Sequence, residues 1–310
     1  NVLNTVFVET IGGDLTVKVE DNTEDGEGIY SELVDDPHQS LQDAQIAYAQ
    51  VGKLILLKIR PYQEKDWRYL VYNTLTQSVD RIDEIGHSCV ELPEDHGIIF
   101  PGGYYLQNGE KKVFDADVDQ MYFLRKVVSP NGEDVLFVFY HREEGRFALF
   151  SYNLIRKTLE NPIICHGYGL LDDGRLAIFR STTDEPTRVH SLQFWQTPYV
   201  TDEFAAKVPK DDSFMGRIGN AELVRAISDT YSICRMIDSQ RASVAVYEEM
   251  TAALTRIIDS YHWLSDDEAG NLIEDLKTIG TTIEQVLDEF EKVEVVRHEA
   301  VSAVNAAAEN

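Results

Sequence analysis

Pro130 to Asn153 reads PNGEDVLFVFYHREEGRFALFSYN. Asn131-Gly132 marks a turn, Asp134 to Tyr140 is a run rich in β-branched and aromatic residues, His141 to Gly145 is a second polar turn, and Arg146 to Asn153 is another β run. Gly and Asn accept turn backbone that bulkier residues resist, while Val, Phe and Tyr suit a pleated surface, so the stretch predicts a turn followed by a β-hairpin. The plan recurs three times. Gly52-Lys53 precedes LILLKIR, the turn Pro61 to Asp66 and WRYLVYN; Glu94 to Gly97 precedes IIF, Pro101-Gly102-Gly103 and YYLQ; Asp172-Asp173-Gly174 precedes RLAIFR, a turn around Asp184 to Pro186 and TRVHSLQFW. The anchoring glycines Gly52, Gly97, Gly132 and Gly174 are 45, 35 and 42 residues apart, the period of a propeller blade of about four strands. A further strand pair fits Thr5 to Thr10 and Asp14 to Glu20. The expected fold of residues 1–208 is therefore an all-β repeat region, propeller-like, with about four to five blade-like units; a β-sandwich of hairpins is the alternative. Asp21 to Asp43, DNTEDGEGIYSELVDDPHQSLQD, reads as an acidic surface loop without EF-hand spacing.

Outward from the repeats, the pattern changes near Val208-Pro209. Residues 209–310 lose Pro after that point and take a helical period. Leu223, Ile227, Cys234 and Ile237 share one helix face. Tyr247, Met250, Leu254, Ile257, Tyr261 and Leu264 mark a second helix. Ser265 with Glu268 has capping-box spacing. A third helix carries Leu272, Leu276, Ile279, Ile283, Val286, Phe290 and Val293 at alternating steps of four and three, a heptad stripe interrupted by Gly280. A helical hairpin packed on itself and a coiled coil continuing beyond Asn310 both fit it, and a helical bundle accompanies the sandwich alternative. The missing initiator Met and the Ala-rich end without a stop signal lead us to expect a segment of a larger protein.

The chain has a net charge of −26 and no basic run. A phosphate-gripping surface needs clustered Lys and Arg, so direct nucleic-acid contact is disfavoured. Three scattered cysteines, Cys89, Cys165 and Cys234, fit a reducing, cytoplasmic setting. The N-terminus has no signal-peptide pattern, and no apolar stretch is long enough to span a membrane. G-x-x-x-x-G-K-[ST], G-x-G-x-x-G and G-x-S-x-G are all absent from the sequence; Gly102-Gly103 reads as a hairpin turn. His96, His141, His166 and His190 fall in the β repeats without zinc spacing, and the neighbours Cys165 and His166 point to opposite faces of a strand. No catalytic, cofactor-binding or metal residue is assigned. Aromatic, His and Arg side chains at a propeller mouth are contact anchors, which makes Tyr104, Tyr105, His141, His166, Arg188, His190 and Trp195 the candidate binding surface. An enzyme with a pocket at the propeller axis is a third reading.

Several long strings carry a family resemblance: VFVETIGGDLTVKVEDNTEDGEGIY (Val6 to Tyr30), LILLKIRPYQEKDWRYLVYN (Leu54 to Asn73), LPEDHGIIFPGGYYLQNGEKKVFD (Leu92 to Asp115), SPNGEDVLFVFYHREEGRFALFSYNLIRK (Ser129 to Lys157), and CHGYGLLDDGRLAIFR with DEPTRVHSLQFWQTPY (Cys165 to Tyr199). The chain resembles a family of very large bacterial DNA repair ATPases, in its domain of unknown function beside an AAA-type module and coiled-coil segments. The resemblance implies that ATP and Mg belong to the parent ATPase module and not to these residues. It carries over no catalytic residue. The expected role is a non-catalytic interaction or regulatory module, contacting the own-chain ATPase module or other proteins and able to form a homo-oligomer through its helices. A nucleic-acid-binding module is the alternative.

Overall fold

The computed structural model describes residues 1–11, 13–19, 28–35, 44–118, 120–181, 190–209, 211–238 and 243–308. The chain divides into two units, Asn1–Lys207 and Val208–Asn310.

Among the described residues the first unit holds five antiparallel sheets in chain order, none closed. The first holds β1 (Phe7–Ile11), β2 (Asp14–Lys18) and β3 (Tyr30–Glu32). The second holds β4 (Gln45–Val51), β5 (Leu54–Arg60), β6 (Arg68–Asn73) and β7 (Ser78–Arg81). The third holds β8 (Val90–Glu91), β9 (Gly97–Phe100), β10 (Gly103–Leu106) and β11 (Lys111–Val113). The fourth holds β12 (Tyr122–Val128), β13 (Asp134–His141), β14 (Arg146–Asn153) and β15 (Thr158–Leu159), and β16 (Ile163–Cys165) also pairs with β14. The fifth holds β17 (Gly167–Leu170), β18 (Arg175–Phe179) and β19 (Leu192–Gln196). Within each sheet consecutive strands are neighbours, as short hairpin loops dictate, except that β16 returns to β14 rather than pairing with β15.

Three of the expected hairpins form; in the fourth, β18 and β19 pair, while the expected turn around Asp184 to Pro186 lies outside the described residues. The turn glycines keep phase. Gly132 (φ 74°) joins β12 to β13 and Gly174 (φ 80°) joins β17 to β18, both in backbone that glycine enters without a Cβ penalty. Gly52 occupies the same place in the second sheet, and Gly13, unremarked in the sequence, does so in the first.

Neighbouring sheets share cores. Val8, Leu15 and Val17 of the first pack against Ile55, Leu57, Ile59 and Leu70 of the second. Leu54 and Val71 of the second pack against Ile98, Phe100 and Tyr105 of the third. His96 of the third meets Tyr152 of the fourth, and Phe114 meets Phe150. Leu136, Val138 and Leu149 of the fourth pack against Leu176 and Ile178 of the fifth. Inner sheets are covered on both faces, so LILLKIR and DVLFVFY are nearly continuous apolar runs rather than alternating ones.

The expectation of an uninterrupted surface loop over Asp21 to Asp43 needs correction. Tyr30–Glu32 pairs with β2 because the Tyr30 backbone lies opposite Val17, and Tyr30 packs on the first core. Residues 20–27 and 36–43 lie outside the described residues.

The second unit contains α2 (Phe214–Ile218), α3 (Asn220–Asp238), α4 (Val244–Ser260) and α5 (Leu272–Ala308), while the short α1 (Asp202–Ala205) ends the first. Among the described residues no helix is long and apolar enough to cross a membrane. α4 buries Met250, Leu254 and Ile257 as the pattern predicts, but it ends at Ser260, so the expected helix through Leu264 is shorter: Tyr261 caps it and Leu264 is buried in the short 3-10 turn His262–Ser265. Tyr247 meets Phe290, and Leu264 shares a core with Leu276. Rising numbers on α4 face falling numbers on α5, so the two run antiparallel as a hairpin.

Three expectations about the helices change. The stripe on α5 divides. Leu276, Ile283 and Phe290 turn inward with Ile273, Gly280 and Leu287, while Leu272, Ile279, Val286 and Val293 remain exposed. On α3 the packed residues are Ala226, Ile233 and Met236, and Ile227, Cys234 and Ile237 are exposed. Ser265 caps no helix: its hydroxyl donates to the His262 carbonyl, and Asp266 caps the turn Asp267–Ala269.

Candidate interaction surface

β18 and β19 pair without a break from Arg175↔Gln196 to Phe179↔Leu192. Side chains alternate, so Leu176 and Ile178 enter the core shared with the fourth sheet, while Ala177 and Phe179 point to the other face. Leu192 and Phe194 stand beside them on β19, and Gly167 and Gly169 stand beside them on β17. The result is an apolar face with a glycine floor. Leu192 is 55% exposed, Phe194 58% and Trp195 49%. Apolar aromatics this open, adjacent on one strand, are the compositional mark of a contact surface.

Two candidate histidines converge at the end of this face. The His190 ring lies edge-on to Phe179 at 4.8 Å and the His166 ring at 6.4 Å. A His166 ring nitrogen accepts from the Ser181 N–H at 3.1 Å. Trp195 belongs to the same strand. Arg188 lies outside the described residues.

The other three candidates are structural, not surface anchors. Tyr104 and Tyr105 are buried because both faces of the third sheet are covered. The Tyr105 hydroxyl donates to Asp80 at 3.0 Å, and burial together with that carboxylate pushes its pKa up to about 12. His141 is buried and its Nδ1 accepts from the Glu144 N–H at 3.1 Å, which fixes the β13–β14 turn.

His96 is a core histidine as well. Its Nδ1 lies 2.8 Å from the Tyr152 hydroxyl, and burial, aided by Lys157, lowers its pKa to about 3. Burial raises the Cys89 thiol to about 12 and Cys165 to about 11, so neither is poised as a thiolate. Among the described residues no group of three or more His, Cys, Asp or Glu is placed to hold a metal ion.

A second feature lies on β5 and β6. The Lys58 ammonium sits 4.4 Å from the Trp67 ring centre and 5.6 Å from that of Tyr69, and the Arg60 guanidinium sits 4.9 Å from that of Trp67. Nearby, Arg68 donates to Glu64 and Glu32 and to the Leu33 carbonyl at 2.8 Å, joining the second sheet to the first.

The sequence pointed to Trp195 but missed Leu192 and Phe179. The overlooked signal is Pro198, two residues after β19, which denies it the hairpin return that β6, β10 and β14 make.

A family model described as "ATPase involved in DNA repair" matches residues 1–262. No curated protein and no solved structure matches the chain.

Proposed function

The chain belongs to the family described as ATPase involved in DNA repair, and from this we propose that its 310 residues are a non-catalytic interaction or regulatory module of such an ATPase. The observation that carries the reading is the open apolar face of Phe179, Leu192 and Phe194, with Trp195 exposed on the opposite face of the same strand. In the third and fourth sheets, by contrast, Phe100, Tyr105, Phe137, Phe139, Phe150 and Tyr152 are buried. We read the five consecutive meanders as blades of a propeller-like array, with the last blade as the contact surface for the parent's ATPase module or another protein. ATP and Mg bind in that module. In support, no phosphate-cradling loop occurs in the sequence, and His96 and His141 are held in structural contacts. The exposed row Leu272, Ile279, Val286 and Val293 on α5 offers a helical contact through which the chain self-associates or transmits motion. Three free cysteines support a cytoplasmic setting.

The test has two parts. The purified chain is expected to show no ATP turnover, and to change the turnover of the parent's ATPase module when mixed with it. Turnover by the chain itself, surviving further purification, overturns the reading.

The cations stacked on Trp67 favour a second reading, a nucleic-acid contact through Lys58 and Arg60. Anisotropy titrations with single- and double-stranded DNA test it. Absence of binding at low salt removes it.

A further inference from the structure

We infer that the free edge of β19 is the docking site for an extended, basic peptide strand of a partner protein, which adds as the fourth strand of the fifth sheet. This rests on the interaction-module reading and names its ligand.

In the second sheet β7 pairs with β6, in the third β11 pairs with β10, and in the fourth β15 and β16 together line β14. The equivalent edge of β19 has no strand among the described residues. Pro198 ends the strand, and Tyr199, buried with its hydroxyl 2.6 Å from that of Ser151, carries the chain away. The first sheet also has three strands, but there Arg68 donates to Glu32 and to the Leu33 carbonyl just past β3.

The Thr197 N–H donates to the Gly174 carbonyl at 3.0 Å, toward β18. Amide direction alternates along a strand, so Leu192, Phe194 and Gln196 turn their N–H and C=O groups to the free edge. Proteins normally blunt such an edge with Lys, Pro or a bulge. β12, also an edge strand, carries Arg125, Lys126 and a register shift between Phe123 and Arg125. Leu192–Gln196 has none of these and keeps an unbroken register. Exposed Phe194 on one face and Trp195 on the other would flank the side chains of an added strand, the arrangement of β-augmentation.

The existing fourth strands indicate the chemistry. They read SVDR, KKV and TL, short and rich in β-branched and basic residues. Net charge −26 favours a basic peptide over a second copy of the chain at this edge.

The probe is a fluorescein-labelled eight-residue peptide of alternating Val and Lys, titrated onto the full chain by anisotropy at about 0.15 M salt. Saturable binding is expected. Phe194→Pro removes one edge N–H and leaves the β18 ladder intact; it is expected to weaken binding at least tenfold with an unchanged circular dichroism spectrum. The same peptide N-methylated at alternate residues is expected to lose at least tenfold on the unaltered protein, a result independent of whether the variant folds. No binding, or binding that survives N-methylation, overturns the proposal. A dimer by light scattering that Phe194→Pro dissolves also overturns it, by naming a second copy as the occupant. Loss of peptide capture while the chain still modulates the ATPase module removes this inference and leaves the module reading standing.

Discussion

Gly280 of α5 lies against Leu254 of α4: a methyl group added at Gly280 would come within 2.8 Å of the Leu254 Cδ2. Glycine costs an isolated helix roughly 1 kcal/mol relative to Ala. Here it lets the two helices approach closely. Gly280→Ala gains helix propensity but pushes on a buried leucine, so the two effects nearly cancel. Gly280→Leu has no room and is expected to destabilise the helical unit by about 1–3 kcal/mol. Urea unfolding followed by circular dichroism at 222 nm measures both. A neutral Gly280→Leu would show that the helices are not in this contact.

The division of the heptad stripe gives a paired test. Ile283 is 7% exposed and Ile279 is 41% exposed, although both occupy the same apolar pattern. Ile283→Ala should cost about 2–4 kcal/mol through lost burial and a residual cavity. Ile279→Ala should change stability by no more than about 1 kcal/mol. Ile283→Asp, which also buries a charge, should unfold the helices and leave the sheets formed. Trp263, beside the α4–α5 core, provides a local fluorescence probe. Equal costs at the two positions would contradict the packing.

These positions also show what could be read in the sequence. Hairpins were legible because Gly132, Gly174 and their equivalents sit at required positive φ and because β-formers flank them. The flanking strands were harder. β4, QIAYAQV, is exposed along nearly its whole length, and β15 has only two residues, so neither carries a burial pattern. Burial on both faces also erased the alternation that would have separated Tyr105, in the core, from Trp195, at the surface. On α5 the periodicity gave the apolar stripe but could not say which side of it α4 covers. That depends on the turn between Tyr261 and Asn271, where Gly270 adopts φ 76° and Asn271 φ 54°.

His96 makes stability depend on pH. Its folded pKa of about 3 lies below the ordinary 6.5, chiefly from burial. The unfolded chain therefore takes up a proton that the folded chain refuses between those values. The contribution is fully present above about pH 6.5 and is lost as pH falls toward 3, at up to about 1.4 kcal/mol per pH unit. His96→Gln keeps a partner for the Tyr152 hydroxyl and removes the titration. Denaturant midpoints between pH 4.5 and 7.5 should fall less steeply for this variant than for the unaltered chain. Parallel curves would mean that His96 is solvated.

Arg68 is the most demanding residue of the first unit. Burial opposes its charge, but hydrogen bonds and attraction from Glu32 and Glu64 prevail, and its pKa is raised. The contacts are 2.9 Å to Glu32 and 2.6 Å to Glu64, whose side chains are 12% and 8% exposed. Arg68→Met keeps the apolar stem but leaves the sheltered Glu64 without a cation and Glu32 with Arg81 alone, and is expected to cost about 3–5 kcal/mol. Arg68→Lys keeps the charge and loses the planar fork that reaches both Glu64 oxygens, so it should recover only part of that. The combination Arg68→Met with Glu32→Gln and Glu64→Gln removes the unpaired charges and should be milder than Arg68→Met alone. That ordering distinguishes a cost from stranded charge, which the triple variant relieves, from a simple loss of contacts, which it would compound. Thermal unfolding of the three variants, read near pH 7, gives the order directly.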